Sequence, residues 1–388
     1  MLFFRSPLIA FGDDAASYLE MIHGRRAVIV TDEVIQRLGF VENVRQRLNV
    51  AGIECAVFDQ VEAEPSIDTV YACAAVMNEF EPDWVVGLGG GSCMDVAKAA
   101  WFVYERPDVD LEAVNPLQEF GLRAKARLIT IPTTSGSGSE VSQAAIIKDP
   151  KTRRKLEVGT FEFIADITII DPHFSAHMPR QLTADTGIDV LAHAVDVYNH
   201  TWRNDFCDGL CLQAVRTVFD YLPQAVERGA EDMEARQKMA NAATIAGLAF
   251  GNTNISLAHA MSHAAGAIWP VPHGRLTGLL LPGTVEFAAN GGEGRYLDLA
   301  RLVGLCADDE AQAGAIFAAA IRDLLRRVGQ PTSLKEAGIS RVAFSADLEA
   351  VCDRAEMDLG YSFARRLPDP QDLARLFEYA YQGKPVDF

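Results

Sequence analysis

Apolar positions in the first 170 residues fall in short runs, each followed by a stretch with helical spacing. Ala27 to Thr31 reads as a β-branched strand, and Glu33 to about Val50 as an amphipathic helix. Glu54 to Phe58 is a second strand, with a helix over Ile67 to Phe80. Trp84 to Gly87 is a third strand, which runs through GLGGGS into the helical MDVAKAAWFV. Leu128 to Ile131 is a fourth. This alternation predicts an α/β domain with a Rossmann-like parallel sheet covered by helices on both faces. Ligands of such sheets gather at the carboxyl ends of the strands.

After Asp171-Pro172 the strand pattern stops. Helical periodicity takes over in Gln181 to Tyr198, Asp205 to Tyr221, Met233 to Phe250, Ile255 to Gly266, Leu279 to Ala289, Ala311 to Val328 and Gln371 to Tyr381. The expected organisation is an α/β dinucleotide-binding domain over residues 1–180 and an all-helical metal-binding domain over 181–388. Chemistry that joins the two belongs in a cleft between domains.

The third strand end carries a phosphate-type signal. Gly87, Gly89, Gly90 and Gly91 allow a sharp turn and a close backbone approach. Ser92 is placed as an N-cap and Asp95 completes a capping-box spacing, so the amides of the helix start face a pyrophosphate. A capped turn without ligand reads equally well from these residues. Asp32 follows the first strand, where an acid accepts ribose hydroxyls or caps a helix. Pro132 to Glu140 (PTTSGSGSE) brings hydroxyls and glycines to the fourth strand end.

The helical half carries a second chemistry. Asp189 and His193 are four residues apart, as are His259 and His263, so each pair shares one helix face. His273 follows a Pro-x-Pro turn and is expected on a loop. Five of the eight histidines lie between 189 and 273. Apolar or small residues surround both pairs, and polar groups in such surroundings need a strong partner. One carboxylate and three imidazoles suit zinc or ferrous iron better than calcium or magnesium.

Composition narrows the partners. The chain has 388 residues, 49% of them apolar, and a formal net charge of -18. That charge disfavours nucleic acid and anionic membrane surfaces. Seven cysteines without regular spacing fit a reducing, cytoplasmic setting better than a disulfide framework. No apolar run reaches bilayer-spanning length.

Together GGGSCMDVAK, PTTSGSGSEVS, GIDVLAHA and LAHAMSHAAGAIWPVPHG resemble the iron-containing (group III) alcohol dehydrogenases, in order and spacing from about residue 4 to 290. The resemblance implies the two-domain plan shared with dehydroquinate synthase. It implies hydride transfer between NAD(H) and a small primary alcohol or aldehyde. It assigns Asp189, His193, His259 and His273 to one divalent metal, Fe2+ first and Zn2+ as the alternative. It places Gly91, Ser92, Thr133, Thr134, Ser137 and Lys155 near NAD, beside Gly90 and Asp95 of the glycine-rich turn, and Asp32 at the position tied to preference for NAD over NADP. Phe250 falls on a substrate-pocket aromatic. His263 falls on a histidine near the reacting groups, either a proton relay or a residue that orients a metal ligand. A homodimer or larger homo-oligomer is expected.

Departures from the family pattern concern the substrate side. Ala144 replaces a pocket asparagine, Glu64 replaces an asparagine, Thr277-Gly278 replaces Asn-Ala, and ARRLPD (364–369) lacks the usual Asn-Pro-Arg. Arg275 replaces a small or aliphatic residue; pointing into the pocket it favours an anionic substrate, and paired with an acid it does not. Two other readings share the signals: a lyase like dehydroquinate synthase that uses NAD and zinc, and a non-catalytic protein that binds metal and NAD.

Overall fold

A computed structural model describes residues 3–116, 118–150 and 155–388, Lys155 in its backbone only. The chain divides into two compact units, Met1–His177 and Met178–Phe388.

The first unit is built on eight strands: β1 (Leu8–Phe11), β2 (Arg26–Val30), β3 (Glu54–Phe58), β4 (Trp84–Gly89), β5 (Arg127–Pro132), β6 (Ala144–Lys148), β7 (Lys155–Gly159) and β8 (Ile167–Ile170). Six form one parallel sheet in the order β1-β8-β5-β4-β2-β3, while β6 and β7 pair as an antiparallel hairpin. Among its described residues the helices are α1 (Glu33–Arg37), α2 (Phe40–Val50), α3 (Ile67–Phe80), α4 (Gly91–Glu105) and α5 (Pro172–Ser175).

The central strands show why the sheet is covered twice. Successive side chains of a strand point to opposite faces. Val28, Val30, Val85 and Leu128 pack with Val70, Cys73 and Met77 of α3 and with Val96 and Ala97 of α4. Ala27, Ile29, Trp84, Val86 and Ile129 pack on the other side with Ile35, Val41, Val44 and Leu48 of α1 and α2. Every residue of β4 is buried, as a strand covered on both faces must be.

The expected helix over 33–50 is two helices. Gly39 adopts φ +79° between them and the chain turns there. Asp32 caps α1, its Oδ1 accepting from the Val34 and Ile35 amides at 2.8 and 2.9 Å.

The second unit is helical among its described residues: α6 (Arg180–Tyr198), α7 (Asp205–Arg228), α8 (Met233–Gly251), α9 (Leu257–Gly266), α10 (His273–Asn290), α11 (Tyr296–Leu302), α12 (Glu310–Arg327), α13 (Arg341–Met357) and α14 (Pro370–Gln382). α6 is buried along nearly its whole length and packs against α7, α8 and α10. A helix apolar on every side belongs at the centre of a bundle. A polar side chain on α6 is thereby confined to a dry interior.

Candidate metal centre and dinucleotide edge

Three helices of the second unit supply the metal-type residues. Asp189 and His193 project from α6 and His259 from α9, all three buried. One ligand atom from each lies within 4.8 Å of the others. His273 is not on a loop as expected. It is the first residue of α10, because Pro272 fixes the backbone ahead of it and stands as the N-cap. Its Nε2 lies 3.6 Å from Asp189 Oδ1, and His259 Nε2 lies 3.7 Å from the same oxygen.

These separations are too long for hydrogen bonds. They approach the spacing of two ligands on one cation: bonds of about 2.0–2.2 Å put neighbouring donors about 3–3.5 Å apart. His193 Nδ1 and His259 Nε2 are buried with no hydrogen-bond partner. Orphaned buried nitrogens are costly and call for a partner. The residues present therefore fit a divalent metal.

Protonation states agree. Burial pushes His193 and His259 below the ordinary imidazole range, so both are neutral near pH 7. Burial pushes Asp189 up, but the surrounding imidazoles and the Thr277 hydroxyl outweigh it and hold the carboxyl below its usual value. A carboxylate among neutral imidazoles is what a cation needs.

Neighbouring side chains hold these groups, and sequence reasoning missed most of them. Asp196 Oδ2 faces His259 Nδ1 at 2.8 Å; burial pushes its carboxyl up to about 6, still ionised at neutrality. Thr277 donates to Asp189 Oδ1 at 2.8 Å, and Ser262 Oγ lies 3.2 Å from His273 Nδ1. Asp196 was findable, since it continues the Asp189–His193 face of α6. Asp358, 2.8 Å from His263 Nδ1, carries no such signal, being 95 residues away. His263 stacks on His273 with ring centroids 5.2 Å apart. Phe250 lies against His193, centroids 4.6 Å apart.

Arg275 does not offer itself to a ligand. Its Nε and Nη2 donate to the two oxygens of Asp185 at 3.1 and 3.0 Å, and Gln330 donates to the same carboxylate at 2.8 Å. The planar fork of arginine matches a carboxylate, so the anionic-substrate reading loses its residue.

In the first unit the glycine-rich turn forms at the end of β4. Gly89 has φ +152°, and a Cβ there would stand 2.5 Å from Cys93 Sγ. The helix cap differs from expectation. Gly90 is the N-cap of α4, with no side-chain cap bond, and Ser92 lies inside the first turn, its hydroxyl donating to the Ala63 carbonyl at 2.7 Å. Asp95 closes no capping box. It accepts from Ser139 Oγ at 2.7 Å and the Ile146 amide at 3.1 Å, and so ties α4 to the β6 hairpin. An α4 N-terminus without a side-chain cap, at the carboxyl edge of the sheet, is the arrangement that receives phosphate.

The loop after β5 lies against it. The Thr133 amide donates to the Gly89 carbonyl at 2.9 Å. Cβ atoms on Gly90 and Gly91 would stand 3.5 Å from Thr134 and 3.3 Å from Ser137. Lys155 opens β7, and its side chain lies outside the described residues. Glu64 is paired with Lys148 at 3.0 Å. Ala144 opens β6, and its carbonyl accepts from buried Lys98 at 2.9 Å.

Comparison with known proteins fits both halves. Residues 7–172 match the family model described as iron-containing alcohol dehydrogenase, and residues 183–381 match the C-terminal model of the Fe-containing alcohol dehydrogenase family. An NADPH-dependent butanol dehydrogenase of Clostridium saccharobutylicum is 33% identical, with 98% of each chain covered. Aldehyde-alcohol dehydrogenase 2 of Entamoeba histolytica is 36% identical over 97% of this chain, which spans 46% of that longer protein. Among solved structures, an iron-containing alcohol dehydrogenase from Thermococcus thioreducens superposes with TM-score 0.90 at 30% identity, covering 99% of this chain and all of the other. A sulfoacetaldehyde reductase from Bifidobacterium kashiwanohense, solved with NAD+, superposes with TM-score 0.87 at 26% identity, covering 98% and 99%. The chain belongs to the iron-containing alcohol dehydrogenase family.

Proposed function

We propose that this protein is a metal-dependent, NAD(H)-linked alcohol dehydrogenase that interconverts a small primary alcohol and its aldehyde. The observation that carries the reading is the convergence of buried Asp189, His193 and His259, with one ring nitrogen of each histidine lacking a hydrogen-bond partner. Asp189, His193, His259 and His273 are the residues to hold the metal, iron first and zinc as the alternative. When bound, such a cation supplies Lewis acidity toward a carbonyl or alkoxide oxygen, and the nicotinamide cofactor supplies or accepts the hydride.

The chain's own residues do the rest. Gly90, Gly91 and Ser92 at the start of α4, with Thr133, Thr134 and Ser137 beside them, support binding of the dinucleotide phosphates. Asp32 puts a carboxylate at the end of β2, which disfavours a 2′-phosphate; the butanol dehydrogenase relative is described as NADPH-dependent, so the preference needs direct measurement. Phe250, packed on His193, supports an apolar wall for the substrate. His263 is the proposed proton carrier. With its Nδ1 held by Asp358, Nε2 is free to take the alcohol proton in oxidation and return it in reduction. Its stacking on His273 favours a second role, keeping that ring oriented.

A panel of linear aldehydes with NADH and NADPH, followed at 340 nm before and after metal removal by a chelator, tests this. The expected result is oxidation of NADH, lost on chelation and restored by Fe2+ or Zn2+. Turnover of a phosphorylated polyol without net NADH consumption favours the lyase. Binding of both cofactors with no turnover favours the non-catalytic reading. All seven cysteines are free, which supports a reducing compartment. Among the described residues no helix is long and apolar enough to cross a membrane. Assembly into a homodimer is tested by light scattering.

A further inference from the structure

Asp196 has no task in the reading above, yet one of its oxygens meets three nitrogens beside the centre. It lies on α6, seven residues past Asp189 and three past His193, on the face they share. Its Oδ2 accepts from the backbone amides of Ser256 and His259, both at 3.2 Å, and faces His259 Nδ1 at 2.8 Å. Helix α9 has no side-chain cap of its own, for Ser256 stands at the N-cap without a side-chain hydrogen bond. Asp196 caps α9 from a neighbouring helix and sets a negative charge at its positive end.

The same oxygen determines how His259 presents itself. An oxygen that already accepts two backbone amides meets Nδ1 as an acceptor, so the ring proton resides on Nδ1 and Nε2 keeps its lone pair. Nε2 is the buried, partnerless atom 3.7 Å from Asp189 Oδ1. The other tautomer turns an N–H toward that space and offers no ligand.

We infer that Asp196 is a positioning residue for the metal centre, one contact fixing both the tautomer of His259 and the seating of the helix that carries it. The inference rests on the reading of Asp189, His193, His259 and His273 as a metal site. A cap alone stabilises the metal-free and metal-loaded protein equally. A positioning residue changes the difference between them, and outer carboxylates of this kind are worth about 10–100-fold in metal affinity.

The test uses metal-free protein titrated with Zn2+ against a chromophoric chelator, and with Co2+ to record its d–d absorption. Asp196→Asn is expected to bind Zn2+ about 10–100-fold more weakly than wild type and to shift the Co2+ band. To separate the cap from the tautomer, Ser256→Asp is added, which gives α9 its own cap. The double variant S256D/D196N is expected to fold with the weak affinity retained, and it serves if D196N alone does not fold. Wild-type affinity and an unshifted Co2+ band in D196N overturn the inference, as does recovery of affinity in the double variant. Wild type that binds neither ion removes the metal reading itself, a result distinct from either.

Discussion

His200, two residues past the end of α6, has both ring nitrogens committed or enclosed. Its Nδ1 accepts the Trp202 amide at 2.9 Å, Nε2 is buried without a partner, and the ring lies 4.5 Å from Phe363. Burial pushes its pKa down to about 4, against the opposing pull of Asp196. Unfolded, the ring titrates near 6.5, so below that pH the unfolded chain takes up a proton that the folded chain refuses. The stability this imidazole contributes is complete above 6.5 and declines as pH falls toward 4. His200→Phe is expected to flatten the acid side of a plot of unfolding midpoint against pH. Each kcal/mol recovered is worth about 2–4 °C in a unit of this size. An unchanged slope between pH 6.5 and 4.5 counts against the assignment.

Individual side chains also show where sequence reasoning stops. Spacing alone singled out the pairs Asp189–His193 and His259–His263, because residues a helical turn apart share a face, and the resemblance chose His259 over His263 as the ligand. It could not find Asp358 opposite His263, nor tell that Arg275 is paired with Asp185, since those partners come from distant segments. Thr277 was visible only as an oddity, and the structure gives it a use, donation to Asp189.

Between elements, α10 approaches α6 closely through two glycines. A Cβ on Gly274 would stand 2.2 Å from the Asp185 carbonyl, and one on Gly278 would stand 2.1 Å from Ile188 Cγ2. Both glycines lie on the α10 face that carries Thr277 to Asp189. Gly278→Ala is expected to force the helices apart at a cost of about 1–3 kcal/mol, stretching the Thr277–Asp189 bond. The measurements are the urea midpoint and Zn2+ affinity; both should fall, and no change in either shows that the pair has slack. The pattern of apolar positions does not show this contact, because glycine leaves no periodic mark; for the same reason it marks the helix only from Leu279, six residues after its start at His273.

Other elements escaped for similar causes. β8 is only four residues, buried throughout, and has no alternation to read. β1 is a short edge strand with its outer residues exposed. α13 buries just Phe344, Val351, Cys352 and Ala355, too sparse a stripe to show among its charges. The long helices and the central strands β2 and β4 were legible because burial, propensity and punctuation agree there.

For the molecule as a whole, metal and folding are linked. The proposed ligands come from α6, α9 and α10, so a cation that binds the folded arrangement stabilises all three together. At a free metal concentration a hundred times Kd the gain is about 2.7 kcal/mol. The midpoint of the metal-free protein should therefore rise by about 5–10 °C on adding saturating Zn2+ or Fe2+. A chelator should reverse the rise. A midpoint indifferent to metal, read by calorimetry, contradicts ligation by these helices.

The sheet order has a consequence of timing. β1 pairs in parallel with β8, Leu8 opposite Ile167, roughly 160 residues later in the chain. On a ribosome adding about 5–20 residues per second, LIAF waits about 8–32 seconds for its sheet neighbour to emerge. Through that interval Leu8 and Phe11, exposed even in the finished fold, ride on a nascent segment with unpaired amides. Slower translation between the two strands prolongs the exposure.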